Sequence, residues 1–394
     1  MGGVDRYFFD LADLMEKKGH KVAFFSTESI KNTNSLWRKY FISQIPFSDS
    51  SIRSRLKYLV RMFYSRKANR KLKTLITEFK PEIIHVHNLF HQIPATVLNA
   101  VKLRRIPIVQ TVGDFHLVAP NYNLFHDGKI CEITKPDKYY KALLHRCVKG
   151  SFWASATEIM EKYYFKLTGF DKKTIDLFIA PSNFMKKKLA EYGIQEEKIT
   201  VVPHFVKKHI KGKVTKGDGN YILYFGRLSE EKGINILLKV MKKLPQIRLK
   251  ITGRGLQEGF LKETVKKEKL KNVEFTGFAA GERLHDIISN CRFTVLPSIW
   301  HEVFGLSVIE SFALGKPVIA SRIGGIPEII SDGVNGLLFR PGDGNDLKKK
   351  ISYFWNDITL IKKLGINARN SVSKKYNSEL HYKRILKIYK KLLT

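Results

Sequence analysis

Short apolar runs alternate with longer segments of helical periodicity, and the alternation starts twice. In the first half, Tyr7–Lys18 reads as a helix closed by Gly19, and Val22–Phe25 as the strand after it. Further strands read at Ile83–Val86, Ile106–Thr111, Leu177–Ala180 and Ile199–Val202, with a helix at Asn183–Tyr192. Lys207–Asn220 is rich in lysine and glycine without periodicity and reads as a linker. The pattern then resumes with strand Tyr221–Phe225, helix Ile234–Leu244, strand Leu249–Thr252, helix Leu256–Glu268, strand Val273–Thr276 and helix Glu282–Ser289. Strands joined through helices run parallel, because each helix carries the chain back along the sheet. The chain therefore reads as α/β, with two doubly wound domains at 1–206 and 221–372, a linker at 207–220, and a terminal helical segment, 373–394, free to pack back on the first domain. Nothing strand-like precedes the first helix, so the N-terminal domain reads as lacking its first strand.

One stretch of the second half, Leu296–Ile330, concentrates the chemistry. Phe293–Leu296 is a strand halted by Pro297, and Phe304–Leu314 a helix with Val308, Ile309 and Phe312 on its apolar face, capped by Gly315. Val318–Ala320 is the next strand, and Gly324-Gly325-Ile326-Pro327 opens a further helix. Glu302 falls just before the first of these helices and Glu310 about two turns into it, while the free N–H groups of residues 304–306 form an anion site between them. Two carboxylates beside an anion site suit a ligand that carries both hydroxyls and phosphate, such as a nucleotide sugar. Two more loops leave strands of the same domain. Gly226–Gly233 supplies Arg227 and Lys232, a planar fork and a point charge for phosphate oxygens, and Thr252-Gly253-Arg254-Gly255 supplies another cation. Asp343 and Asp346 read as turn and cap residues rather than a magnesium site, so positive side chains and a helix N-terminus would carry a leaving diphosphate's charge.

Seventy Lys and Arg against thirty-six Asp and Glu give a formal charge of +34, which points to an anionic partner or to lysines scattered over solvated faces. The excess is densest in Ser51–Phe79, where Ile52, Leu56, Leu59 and Phe63 share one face and basic residues crowd the rest, with Glu78 the lone acid. Such a segment either lies on an anionic membrane surface or packs its apolar face into the domain. A nucleic-acid partner is not expected, since charge is unaccompanied by a reading motif. No apolar run approaches bilayer length, and no secretory leader is recognisable, so a cytoplasmic protein is expected, peripheral at the inner face of the membrane if the basic segment docks. Three cysteines make neither a disulfide scaffold nor a convincing zinc site; Cys131 and Cys147, with His126 and His145 nearby, are weakly spaced for metal within the irregular stretch Asn121–Lys149. His87, Asp114 and His116 follow strand ends, where they either touch substrate or satisfy loop carbonyls.

The order GRLSEEKG, ITGRG, SIWHEVFGLSVIE and GKPVIASRIGGIPEII resembles glycosyltransferase family 4 of the two-domain GT-B fold, with Glu302 and Glu310 at the family's Glu-x7-Glu spacing. Upstream, GGVDRYFFDLADLMEKKGHKV, PEIIHVHNLF and FIAPSNF resemble its acceptor domain. The resemblance implies two Rossmann-like domains facing a cleft, and a retaining transferase that needs no metal or other cofactor beyond its nucleotide-sugar co-substrate. It implies that Arg227 and Lys232 hold the donor diphosphate, with Arg254 alongside. Glu302 would bind the sugar hydroxyls with the N–H groups of Phe304, Gly305 and Leu306, and Glu310 the ribose. Gly3 would belong to a glycine loop facing the diphosphate. Glu302, Arg227 and Lys232 are the residues on which transfer is expected to depend, and His87, Asp114 and His116 would lie on the acceptor side. The expected acceptor is a lipid-linked or surface glycan. Gly113 stands where relatives commonly place His, and His204 where they place Asn, which leaves open a second expectation: a catalytically impaired nucleotide-sugar-binding protein of the same fold.

Overall fold

The computed structural model describes residues 3–29, 32, 35–45, 52–89, 92–207 and 219–394; the expected linker therefore lies mostly outside the described residues, as do the side chains of residues 52–56, 171 and 172. The N-terminal half contains helices α1 (Gly3–Lys17), α2 (Ile52–Phe63), α3 (Arg66–Phe79), α4 (Asn99–Lys102), α5 (Tyr140–Leu144), α6 (Phe152–Thr168), α7 (Phe170–Thr174) and α8 (Asn183–Glu191). Its strands are β1 (Ile84–His87), β2 (Ile108–Thr111), the hairpin pair β3 (Phe125–His126) and β4 (Lys129–Ile130), β5 (Leu177–Ala180) and β6 (Ile199–Val201). The C-terminal half has β7 (Tyr221–Phe225), β8 (Arg248–Thr252), β9 (Val273–Gly277), β10 (Thr294–Leu296), β11 (Val318–Ser321) and β12 (Gly336–Phe339). Between and after them come α9 (Ile234–Lys242), α10 (Glu258–Lys267), α11 (Gly281–Ser289), α12 (Leu306–Ala313), α13 (Ile326–Ile329), α14 (Gly344–Asn356), α15 (Ile358–Lys375) and α16 (Ser378–Leu393).

Two parallel sheets result, one of four strands in the order β1-β2-β5-β6 and one of six in the order β12-β11-β10-β7-β8-β9. Strands β2, β5, β7, β11 and β12 are buried at every position, as in a sheet covered on both faces, whereas β1 and β9, at the ends of their sheets, are only partly buried. α14 starts on Asp343, whose side chain accepts from the N–H groups of Asn345 and Asp346, the cap role its sequence suggests.

Several expectations need correction. Val22–Phe25 is not a strand: among the described residues it has no ladder partner, and only a single bridge, Thr27 to Ile42, forms nearby. A strand exists by virtue of its neighbour's hydrogen bonds, which an apolar run alone does not supply. The basic segment comprises two helices, because the Ser65 side chain caps Ala68 N–H and starts α3 afresh. The helix expected after Gly324-Gly325 does form, as the single turn α13 with Pro327 near its start. Asn121–Lys149 contains the β3–β4 hairpin and α5.

The two halves are tied together at several points. α16 returns to the N-terminal sheet, where Ile385 and Ile388 join Tyr7, Leu11, Val109, Leu177 and Phe205 in one cluster. Its Tyr382 hydroxyl meets His20 at 2.9 Å and its Glu379 takes Lys18 at 2.5 Å. Glu328 of α13 reaches across to the start of α8, accepting from the backbone N–H groups of Asn183 at 2.8 Å and Phe184 at 2.7 Å. A carboxylate at a helix N-terminus satisfies orphan donors and complements the helix dipole. Ser182, which caps α8 from within, also donates to Val303 O at 2.6 Å. Glu328→Ala is expected to lower stability by about 1 kcal/mol or less, the range for an exposed cap, read as the urea midpoint, and to raise proteolytic cleavage between the halves.

Candidate functional site

In the second sheet β7 and β10 are neighbours although β8 and β9 intervene in the chain. The connections after β7 and after β10 therefore diverge to opposite sides, and a crevice opens at their carboxyl ends, the position where ligands bind in such sheets. β7 runs out into Gly226-Arg227, β8 into Gly253-Arg254, and β10 into the Pro297–Gly305 loop that feeds α12. The first two loops are zipped together: Gly226 N–H donates to Thr252 O at 3.0 Å and Leu228 N–H to Arg254 O at 2.9 Å. A Cβ on Gly253, at φ 149°, would fall 1.9 Å from Gly226 O, so only glycine permits this approach. Arg227 and Arg254 are both exposed, and among the described residues neither has an ion-pair partner.

At the centre of the crevice Glu302 is buried and paired. Lys232 Nζ lies 2.7 Å from its Oε1, and Ser298 Oγ donates to the same oxygen at 2.6 Å. The ammonium also sits 4.8 Å above the Trp300 ring. Burial pushes the carboxyl up, but the Lys232 charge and these hydrogen bonds outweigh it and hold the group below its ordinary value, anionic at neutral pH. Behind it, Gly325 N–H donates to Glu302 O at 2.7 Å. The sequence did not single out Ser298 or the Gly324-Gly325 seat; the Ser-x3-Glu spacing was the available signal.

α12 begins at Leu306 rather than Phe304, with Gly305 as N-cap at φ 114°. The amides of Phe304, Gly305 and Leu306 thus precede the first intrahelical bonds of α12, in the loop that carries Glu302. Glu310, on α12, is tied to Arg6 of α1 by an ion pair that spans the two domains. Burial raises its carboxyl to about 7, with Asp10 adding to the rise and Arg6 opposing it. Arg6 is the site residue that sequence reasoning missed, since nothing local links residue 6 to residue 310.

The remaining expected residues are placed differently. Gly3 is not in a loop but is the first residue of α1, because the helical periodicity extends to the chain's first turn; a Cβ there would come 3.0 Å from Leu306 Cδ1, so it does abut the start of α12. Gly113 is closed by the same helix: a Cβ on it would lie 2.6 Å from Val4 Cγ2. Asp114 accepts the backbone N–H of His116 at 2.9 Å and is raised by burial, against the pull of His116, Lys162 and Arg227. Arg227 of the C-terminal half thus acts on Asp114, and it acts on the nearby Tyr122 as well. His87 stacks on His85 at 4.3 Å and packs against Tyr7 and Phe8, and burial lowers it to about 3. His116 turns its imidazole away towards α6, with Nε2 3.0 Å from Glu161 and 3.9 Å from Glu158. These three groups are the metal-ligand types that gather within 4.8 Å of one another among the described residues, and the buried Lys162 beside them donates to His116 O. His87 thus packs among aromatic rings, while His116 belongs to a buried polar cluster and also lines, with Gly113 and Asp114, a small pocket after β2; His204, in the place of the Asn, is buried against the Tyr7 ring at 4.0 Å.

Comparison with known proteins accords with this geometry. Residues 1–208 match the profile of Glycosyltransferase Family 4, and residues 206–371 that of Glycosyl transferases group 1. A glycosyltransferase of Methanocaldococcus jannaschii is 33% identical over 234 residues, 59% of this chain and 64% of that protein, so the match spans just under two thirds of that relative. The O-antigen chain mannosyltransferase C of Escherichia coli is 22% identical over 100% of this chain and 95% of its own. Among solved structures, sucrose-phosphate synthase from Thermosynechococcus elongatus superposes with a TM-score of 0.73 at 22% identity, over 99% of this chain and 94% of its own. Anabaena HepE in complex with UDP-glucose gives 0.63 at 19% identity over 82% of each chain. With one family profile covering more than half its length, and both sheets arranged as in these neighbours, the chain belongs to glycosyltransferase family 4, the retaining enzymes of the GT-B fold.

Proposed function

We propose that the protein moves a sugar, with retention, from a nucleoside diphosphate sugar to a hydroxyl of a lipid-linked or surface-polysaccharide acceptor. The observation that carries this reading is the buried Lys232–Glu302 pair at the start of α12, beside the exposed Arg227 at the switch point. In this reading Arg227, Lys232 and the amides of Phe304, Gly305 and Leu306 receive the charge that develops on the leaving diphosphate, with Arg254 alongside, so that fixed protein charge does what a metal ion does elsewhere. Glu302, kept anionic, accepts hydrogen bonds from hydroxyls of the transferred sugar rather than attacking it, because Lys232 and Ser298 already occupy one of its oxygens. A donor phosphate oxygen takes the acceptor's proton, and Glu310 receives the ribose. The family uses nucleotide-sugar donors and is generally metal-independent, which supports the donor half. Relatives from a Klebsiella pneumoniae cps region and in O-antigen chain synthesis support the choice of acceptor. A second reading, a binding protein that turns over little, is favoured by one observation: Val4 fills the space a side chain at position 113 would need.

A donor panel led by UDP-glucose separates the two. Thermal stabilisation by a nucleotide sugar together with transfer to a lipid-linked glycan extract is expected; stabilisation without transfer supports the second reading, and no stabilisation by any donor overturns both. Lys232→Ala and Glu302→Gln are expected to cut transfer by at least about a hundredfold, and unchanged turnover in either folded variant would overturn the assigned roles. With Glu310 at about 7 in the folded protein, its anionic, hydroxyl-accepting form gains as pH rises through 7. Nucleotide affinity should therefore rise from pH 6 to 8. Removing the opposing charge of Arg6 (Arg6→Ala) should move that rise to higher pH, measured by calorimetry across the pH series.

A further inference from the structure

The N-terminal domain leaves a face of large apolar side chains that its own core does not use. On α6, Trp153, Met160, Tyr164 and Leu167 recur at helical spacing along one side. Trp153 is 69% and Leu167 85% exposed, and Met160 is exposed as well. α2 packs beside α6, with the Phe63 and Tyr164 rings edge to face at 5.2 Å, and contributes exposed Val60 on the helix and Tyr64 just after it. Leu59 and Phe63, half of the apolar face expected from sequence, are turned partly inward, so the residues left outside are ones that periodicity did not select. Between α2, α3, α4 and α6 lies a groove of about 390 Å³ lined by Phe63, Tyr64, Leu103, Tyr164, Asn69 and Lys73, among others.

Charge borders the same groove. Arg66, Asn69, Arg70 and Lys73 fall on one side of α3, the side that supplies Asn69 and Lys73 to the groove, and the three cations are exposed. Glu78, the acid of α3, is held by Lys39 and Tyr40. Apolar and aromatic side chains flanked by Lys and Arg that have no ion-pair partner among the described residues match the layered chemistry of an anionic bilayer surface: acyl chains beneath, phosphates above. Among the described residues no helix is long and apolar enough to cross a membrane. α6 also links that face to the cleft, since its inward side carries Glu161 and Lys162, which contact His116 in the Asp114–His116 turn.

We propose that this face docks on anionic membrane, with Tyr64, Trp153, Met160 and Leu167 seated among the headgroups, Arg66, Arg70 and Lys73 on lipid phosphates, and the groove taking a lipid chain. The inference rests on the preceding reading for its purpose, presenting a lipid-borne acceptor to the cleft, and not for the docking itself. The test uses the full chain and vesicles of equimolar phosphatidylglycerol and phosphatidylcholine, with phosphatidylcholine vesicles and a single-stranded RNA as comparators. Sedimentation with the anionic vesicles is expected, with a blue shift of tryptophan emission that Trp153→Leu reduces while binding persists. Trp153→Glu with Leu167→Glu should weaken partitioning by at least about tenfold, and Arg66→Gln, Arg70→Gln and Lys73→Gln together by about a hundredfold. Stabilisation by UDP-glucose, read on the same proteins, should not change, so loss of docking and loss of the donor site are separate results. Binding that survives the Trp153→Glu, Leu167→Glu pair would reduce the effect to bulk charge and overturn the proposal, as would equal affinity for phosphatidylcholine vesicles or RNA.

Discussion

A carboxylate that is buried must be given a cation, and around Glu302 that requirement organises the C-terminal domain. Lys232 arrives from the loop after β7, Ser298 from the loop after β10, and Gly325 from the turn after β11. Three loops from adjacent strands are thereby fastened to one residue. Breaking such a pair by removing one partner typically costs about 3–5 kcal/mol, because the survivor stays buried and uncompensated. The same fastening places the start of α12 beside these loops, so the contacts that hold the loops are also those to which the proposed donor chemistry is assigned.

The two domains are joined by contacts of a different kind. Glu328 on the start of α8, Arg6 on Glu310 and Glu379 on Lys18 are all charged contacts across the boundary, while α16 contributes the apolar part through Ile385 and Ile388. Polar interdomain contacts of this sort, unlike a dry core, exchange partners at modest cost when domains move. Arg6 and Glu310 stand out because the pair lies in the cleft itself: one half belongs to the domain expected to hold the acceptor, the other to the domain expected to hold the donor. Domain approach and the charge of Glu310 are therefore linked.

The charge of +34 has a local meaning only in part. Lys73 on α3 borders a groove, whereas other lysines, such as Lys242 with Glu268 and Lys262 with Glu258, are neutralised in place on solvated helices of the second domain. A total says how strongly anions are attracted overall; only position says where they settle.

Much of the donor half was legible without coordinates. The boundaries of β5 and β7 coincide with the apolar runs that suggested them, Arg227, Lys232 and Glu302 were named from loops that follow such runs, and Glu310 from the helix after one of them. That works because a parallel strand, its exit loop and the next helix are contiguous in the chain, and the sheet's geometry then brings the exits together. The acceptor half was less legible. Val22–Phe25 has the composition of a strand, but composition does not provide the neighbour that makes one. His87 and His116 follow strand ends, yet whether an imidazole faces a cleft or a core depends on what packs on it, here α1 and α6. Arg6 on Glu310 and Val4 on Gly113 are contacts between residues too far apart in the chain for any local pattern to signal. The sequence by itself determined the α/β alternation and the chemical kind of the donor site, because both are written in short contiguous segments. The tertiary structure alone decided which groups α1 sets against that site and which face of α6 is left outside, because those follow from how whole elements pack.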